Sequence, residues 1–204
     1  MNPTIPTDER LARQLDFLRD ADRLKGIERR TRLIDRSRRE NSAEHSWHLA
    51  LMALTLGEYA EPGTDLARVV ELLVVHDLVE IDAGDTFAYD VAAYLDKEER
   101  ERQAAERLFG QLPPDVGARL RLAWDEFEAG TSREARFANA LDRLQSLMLN
   151  DARGDGGTWV EFGVSREAVL QRMEPIRDAA PALWAFAVRA VERAGEAGQL
   201  KRDA

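Results

Sequence analysis

The sequence predicts an all-α fold. Apolar residues recur at helical spacing through most of its 204 residues, and the breaks between these stretches fall on Gly26, Pro62-Gly63, Gly84, Pro113-Pro114 and Gly130. The one run rich in paired valines, near residues 69–79, is too long for an ordinary strand and is flanked by helical patterns.

Taken in order, residues 8–25 repeat Leu11, Leu15, Phe17, Leu18 and Leu24 before Gly26 stops them. A second helix starts near Asn41 or Ser42, either a good N-cap, and runs to about Tyr59. It is apolar nearly all round (Trp47, Leu49, Leu51, Met52, Leu54, Leu56), so Trp47, Met52 and Leu56 are expected in the core. A third helix covers about Asp65 to Val79, Gly84 turns the chain, and 85–90 reads as a loop. Residues 96–112 are rich in helix formers and end at Pro113-Pro114; another helix occupies about 115–129. Thr131 with Glu134 reads as a capping box opening a helix through Asn150. A loop with Gly154, Gly156 and Gly157 leads to helices at about 165–176 and 180–197, and 198–204 is expected to fray. Nothing in the spacing demands more than one domain over 1–204.

Composition removes several classes of function. There are no cysteines, so disulfides, thiolate metal sites and cysteine nucleophiles are excluded. The opening MNPTIPTDERLARQ lacks the apolar stretch of a secretory signal, and the apolar run near 72–79 is far too short to span a bilayer. A cytoplasmic protein without a membrane partner is expected. A net charge of −9 argues against a nucleic-acid polymer as partner. Residues 23–39 nonetheless hold eight basic against two acidic residues, which reads either as a solvated surface segment or as an anion-binding rim.

The histidines are His45, His48 and His76. His76 and Asp77 interrupt an apolar run, and a buried carboxylate must be paired or bound to a metal. A buried His–Asp pair, or a salt bridge from Asp77 to an arginine, would satisfy it. So would a cation, because adjacent helical residues can converge on one ion near a helix end. His45 on the preceding helix and Asp142 in FANALDRLQSLMLN would complete a mixed nitrogen and oxygen set. Such a set suits one Mn²⁺, Fe²⁺, Co²⁺, Ni²⁺, Zn²⁺ or Mg²⁺ ion with positions left for water and a phosphate oxygen.

The order His45, His76-Asp77, Asp142 resembles the signature of the HD superfamily of metal-dependent phosphohydrolases. The segments LKGIERR, ENSAEHSWHLALMA, HDLVEIDAGD and LDRLQSLMLN are similar to those of bacterial 5′-deoxynucleotidases and their eukaryotic HD-domain relatives, over roughly residues 10–150. The resemblance implies an HD-domain helical bundle whose central buried helices carry metal ligands His45, His76, Asp77 and Asp142. It places Glu80 and Asp85 in the proton chemistry, without dividing the roles, and Arg29 on the phosphate. The implied reaction releases phosphate from (deoxy)nucleoside 5′-monophosphates, small-molecule phosphate esters, and the family often forms homodimers. The family carries a tryptophan directly after the phosphate-side arginine; Arg30 stands there in this chain, so no sugar preference carries over. His48 reads as a core residue or a support beside the ligands. The rival readings are another HD hydrolysis (of a nucleoside triphosphate, phosphodiester or alarmone), a dinuclear-iron oxidation, for which three histidines are too few, and a non-catalytic nucleotide- or partner-binding protein. The apolar helix ALWAFAVRAVERA either packs on the core or supplies a dimer interface.

Overall fold

The computed structural model describes residues 7–90 and 92–201. Its helices are α1 (Thr7–Ala21), α2 (Ser42–Leu56), α3 (Leu66–Val75), α4 (Glu80–Ala83), α5 (Lys97–Gly110), α6 (Pro114–Ala129), α7 (Arg133–Ala152), α8 (Gly157–Glu161), α9 (Arg166–Ala179) and α10 (Pro181–Glu196). The fold is all-α apart from one two-stranded hairpin. Among the described residues no helix is long and apolar enough to cross a membrane.

Helix α7 is the hub. It packs against α2, α3, α6, α9 and α10, because it buries apolar side chains on more than one face: Phe137, Leu141, Leu144 and Leu147 are all at most 1% exposed. Each such side chain contributes about 1.5–3 kcal/mol by leaving water. Helix α3 stacks Val69, Leu72 and Leu73 against it without exposure. Helix α10 buries Leu183, Ala187, Ala190, Val191 and Ala194 against α7 and α9, so its apolar side faces the core. One cluster of buried side chains runs from Phe17 to Leu200.

The hairpin lies between α1 and α2, in the basic segment for which the sequence predicts no strand. Strand β1 (Glu28–Arg32) pairs antiparallel with β2 (Arg39–Asn41), with Glu28 opposite Asn41 and Arg32 opposite Arg39. Of the β1 side chains only Thr31 is buried, so the strand carries no hydrophobic alternation by which to be recognised. The hairpin hands the chain directly to α2. Asn41 caps that helix, its side chain accepting from Glu44 N while the Glu44 carboxylate accepts from Asn41 N.

Other details differ from the sequence expectations. The first and third helices end early, at Ala21 and Val75, and continue as tighter 3-10 turns over Asp22–Gly26 and His76–Val79. Helix α2 is central on one side only: Leu49, Met52 and Ala53 are buried, but Trp47 is 66% exposed and Leu51 and Leu54 share its outward stripe. Leu11, Leu15 and Leu18 of α1 are also exposed. The glycine-rich loop contains the short helix α8. The tail does not fray at its start: Lys201 N donates to Val164 O at 2.9 Å and Leu200 is buried, while 202–204, like the opening residues 1–6, lie outside the described residues.

The cap of α7 is Ser132 rather than Thr131. Its hydroxyl accepts from Ala135 N at 3.0 Å and donates to Glu126 at 2.6 Å. Ser132→Ala should therefore lower the unfolding free energy by about 1 kcal/mol, whereas Thr131→Ala should change it by less than about 0.5 kcal/mol. Urea denaturation of the two variants distinguishes the caps.

Candidate metal centre

His76 and Asp77 lie in the 3-10 turn at the end of α3, where consecutive side chains can meet one ion at the helix end. Both His76 and Asp77 are buried there. His76 Nδ1 donates to Leu73 O at 2.8 Å, a carbonyl that can only accept, so Nδ1 keeps its proton and Nε2 is the nitrogen that would meet a metal. That buried Nε2 lies 3.0 Å from Asp77 Oδ1 but makes no hydrogen bond. From the first turns of α2, His45 Nε2 reaches Asp142 Oδ1 on α7 at 3.0 Å. One donor atom from each of His45, His76 and Asp142 lies within 4.8 Å of the others, a group that could hold a metal ion. Asp77 flanks this group, with Oδ2 3.9 Å from His45 Nε2. Orphaned imidazole nitrogen and convergent carboxylate oxygen fit a divalent cation.

Arg29 enters from β1 and donates to Asp77 Oδ2 at 3.0 Å, so the salt bridge foreseen as an alternative to a metal is present beside the metal-type cluster. The same Nη1 lies 3.8 Å from Asp85 Oδ1. Asp85 follows Gly84, whose φ of +76° is a left-handed backbone that favours glycine. Glu80 opens α4, buried, and accepts from Ser42 Oγ at 2.6 Å. The structure thus brings Arg29, His45, His76, Asp77, Glu80, Asp85 and Asp142 to one place, from β1, α2, the 3-10 turn, α4, its following loop and α7.

Burial and the Arg29 cation hold the His45 pKa down to about 4, leaving a neutral imidazole. Burial also works against a charged His76, but the neighbouring Asp77 and Asp142 carboxylates outweigh it and raise its pKa to about 9. Burial favours protonation of Asp77, yet the His76 and Arg29 charges keep it ionised well below the usual range. For Asp142 the bond to His45 likewise overrides burial. Glu80 goes the other way: burial, reinforced by Asp77, pushes its carboxyl well above the ordinary carboxylate range. Asp85 is raised more modestly by burial, with Arg29 opposing.

One contributor escaped the sequence reading. Glu40 on β2 is 2% exposed. Its Oε2 stands 3.7 Å from Arg29 Nε and 3.7 Å from His45 Nδ1, and all three atoms are otherwise unpartnered. Its Oε1 accepts from Gln145 Nε2 at 2.6 Å. Gln145 also approaches His48 Nδ1 at 3.3 Å, which puts His48 in support of the cluster and outside it. A buried glutamate between the arginine and the outer nitrogen of a histidine is a carboxylate–histidine arrangement typical of metal sites. The signal available was position: an acid immediately before the Asn41 cap, inside a strand that the reading did not contain.

A pocket opens beside the cluster, lined by Arg29, Arg30, Asp85, Tyr89, Trp159 and Arg172 among others. The basic segment only partly forms a rim to it. Arg23, Lys25, Arg32, Arg36, Arg38 and Arg39 each pair with a carboxylate, of Asp20, Asp22, Glu161, Asp155, Glu44 and Glu161 respectively. Among the described residues, Arg30 alone of this segment makes no ion pair.

The HD domain family profile matches residues 21–184. The chain is 32% identical over 151 residues to the 5′-deoxynucleotidase HDDC2 of Bos taurus, covering 72% of this chain and 71% of that protein. It is 28% identical over 139 residues to the Danio rerio protein of the same name, covering 66% and 68%. A crystal structure of a predicted metal-dependent phosphohydrolase from Magnetospirillum magnetotacticum MS-1 superposes with a TM-score of 0.91 at 49% identity, covering 97% of this chain and all of that one. With four-fifths of its length inside the profile and the cluster on its central helices, the chain belongs to the HD domain family.

Proposed function

We propose that this protein is a divalent-metal-dependent phosphohydrolase that releases phosphate from nucleoside 5′-monophosphates, deoxynucleotides among them. The observation that carries the reading is the convergence of His45, His76 and Asp142 within 4.8 Å, with Asp77 and Arg29 beside them at the edge of a pocket. The similarity to 5′-deoxynucleotidases supplies the substrate class.

His45, His76, Asp77 and Asp142 would hold one ion, and two nitrogens with two carboxylates suit Mn²⁺, Co²⁺, Fe²⁺, Ni²⁺, Zn²⁺ or Mg²⁺. When bound, such a cation acidifies a coordinated water and neutralises charge on a phosphoryl oxygen. Arg29 presents its planar fork to the phosphate from the pocket side, held in place by Asp77, Asp85 and Glu40. Glu80, its carboxyl pushed well above the ordinary range by burial and accepting from Ser42, is placed to carry the proton that the departing 5′ oxygen requires. Asp85, on the far side of Arg29, aligns that arginine and takes part in the proton traffic.

The chain reads as one domain because α9 and α10 share a core with the helices that carry the cluster. A homodimer is supported by the outward stripe of Trp47, Leu51 and Leu54 at successive turns of α2. The cysteine-free composition suits a reducing cytoplasm.

Phosphate release from a panel of mononucleotides, with Mn²⁺, Co²⁺ and Mg²⁺ in turn, tests the reading directly. Asp77→Ala should abolish both metal occupancy and turnover; full metal-dependent activity in that variant would sink the assignment. Glu40→Ala should leave the ligands present but poorly oriented, weakening metal affinity by about 10–100-fold in a metal titration. An affinity within twofold of the parent would deny Glu40 any part in the site.

A further inference from the structure

Behind the pocket at the metal centre lies a second cleft of about 710 Å³, and Ala88, Tyr89 and Arg172 line both. Among the described residues its charged lining is Arg143, Arg172 and Lys201, with no aspartate or glutamate, in a chain where acidic residues outnumber basic ones by 38 to 29. Three cations without a carboxylate among them are unexpected by composition alone.

Two of the three have no ion pair among the described residues, and the third has a single carboxylate at long range. Arg143 spends one nitrogen on Asn139, donating to its O and Oδ1 at 2.9 Å each, and makes no ion pair among the described residues. Arg172 has only Asp142 within reach, at 3.8 Å, a carboxylate already engaged at the metal cluster. Among the described residues Lys201 has no ion pair either, and its backbone is fixed by the bond to Val164 O and a bridge to Ser165. Aromatic rings stand where the two cavities adjoin: Phe87 meets Tyr89 edge-on at 5.4 Å and Phe162 at a tilt at 4.6 Å between ring centroids. Like charges left facing one another favour an anion between them, and an aromatic divider suits the flat part of a nucleoside.

We propose that this cleft is a second phosphate subsite, which receives a phosphoryl group at the far end of the substrate, so that nucleoside 3′,5′-bisphosphates are preferred over 5′-monophosphates. The proposal rests on the 5′-phosphate being cleaved at the metal centre. Arg172, shared by both cavities, joins the two phosphate positions, and Arg143 and Lys201 give the outer one its selectivity.

The test compares kcat/KM for deoxyadenosine 5′-monophosphate, 5′-diphosphate and 3′,5′-bisphosphate in the metal-loaded protein. The bisphosphate should be favoured over the monophosphate at least about tenfold, the worth of one charge-assisted contact. That ratio should fall to about unity in an Arg143→Ala, Lys201→Ala variant, and fall severalfold in Lys201→Glu alone, a change at an exposed residue that leaves the helices intact. An absent preference, one that survives both variants, or one for the diphosphate only, overturns the subsite. Calorimetric binding of the monophosphate and the bisphosphate to metal-free protein separates this idea from the proposed activity. A binding gap in a protein that hydrolyses neither compound would keep the subsite and reject the phosphohydrolase, whereas hydrolysis without a gap would do the reverse.

Discussion

Negative charge at the centre of an apolar helical bundle has to be met by positive charge, and this requirement organises the molecule. Asp77 and Asp142 sit among Leu49, Leu72, Leu73 and Leu141, none of which is exposed. Isolated carboxylates there would be costly enough to take up protons instead. They stay ionised because His45, His76 and Arg29 come to them from separate elements. Without a metal, the centre holds its balance through a raised proton affinity on His76. A divalent cation supplies the same positive charge with more directional bonds, which is why the arrangement suits one.

Local backbone follows from this. A regular α-helix through His76 and Asp77 would turn their side chains roughly 100° apart. At the end of α3 the chain tightens into a 3-10 turn after Val75 in which both are buried, and a new helix begins with Glu80 at its first position. Such 3-10 stretches within helical runs often mark functional positions. The hairpin answers a related geometric need. A guanidinium and a carboxylate, Arg29 and Glu40, approach the cluster from outside the helical bundle, and two short strands deliver them, with Thr31 the other buried strand residue.

This division explains what could be read from the sequence. The helices were legible because burial imposes a period, as in Phe137, Leu141 and Leu144 on α7. The histidines and Asp77 were legible because a polar residue inside an apolar run is costly and therefore informative. Arg29, Glu80 and Asp85 were found through family resemblance, since their local surroundings are polar and say little. Glu40 and the hairpin were missed for the same reason: ERRTR and REN show no hydrophobic alternation, and the strands are held by what they touch across the chain. Trp47 failed in the opposite direction. Its apolar character suggested the core, but apolarity all round a helix does not require every side to be covered.

Net charge was a poor guide to ligand chemistry, and the pairing pattern shows why. Within the basic segment, most cations are spent on nearby carboxylates, often across elements, as when Arg39 and Arg32 both hold Glu161. Those pairs tie the hairpin to α8 and leave little field outside. What remains is sparse: among the described residues Arg30 at the mouth of the pocket makes no ion pair, and of the cations along the adjoining cleft only Arg172 meets a carboxylate, Asp142 at 3.8 Å. A protein with an excess of acid can therefore receive an anion, because a neutralised rim and a few uncompensated guanidinium groups act at short range, where separation and dielectric matter more than the total.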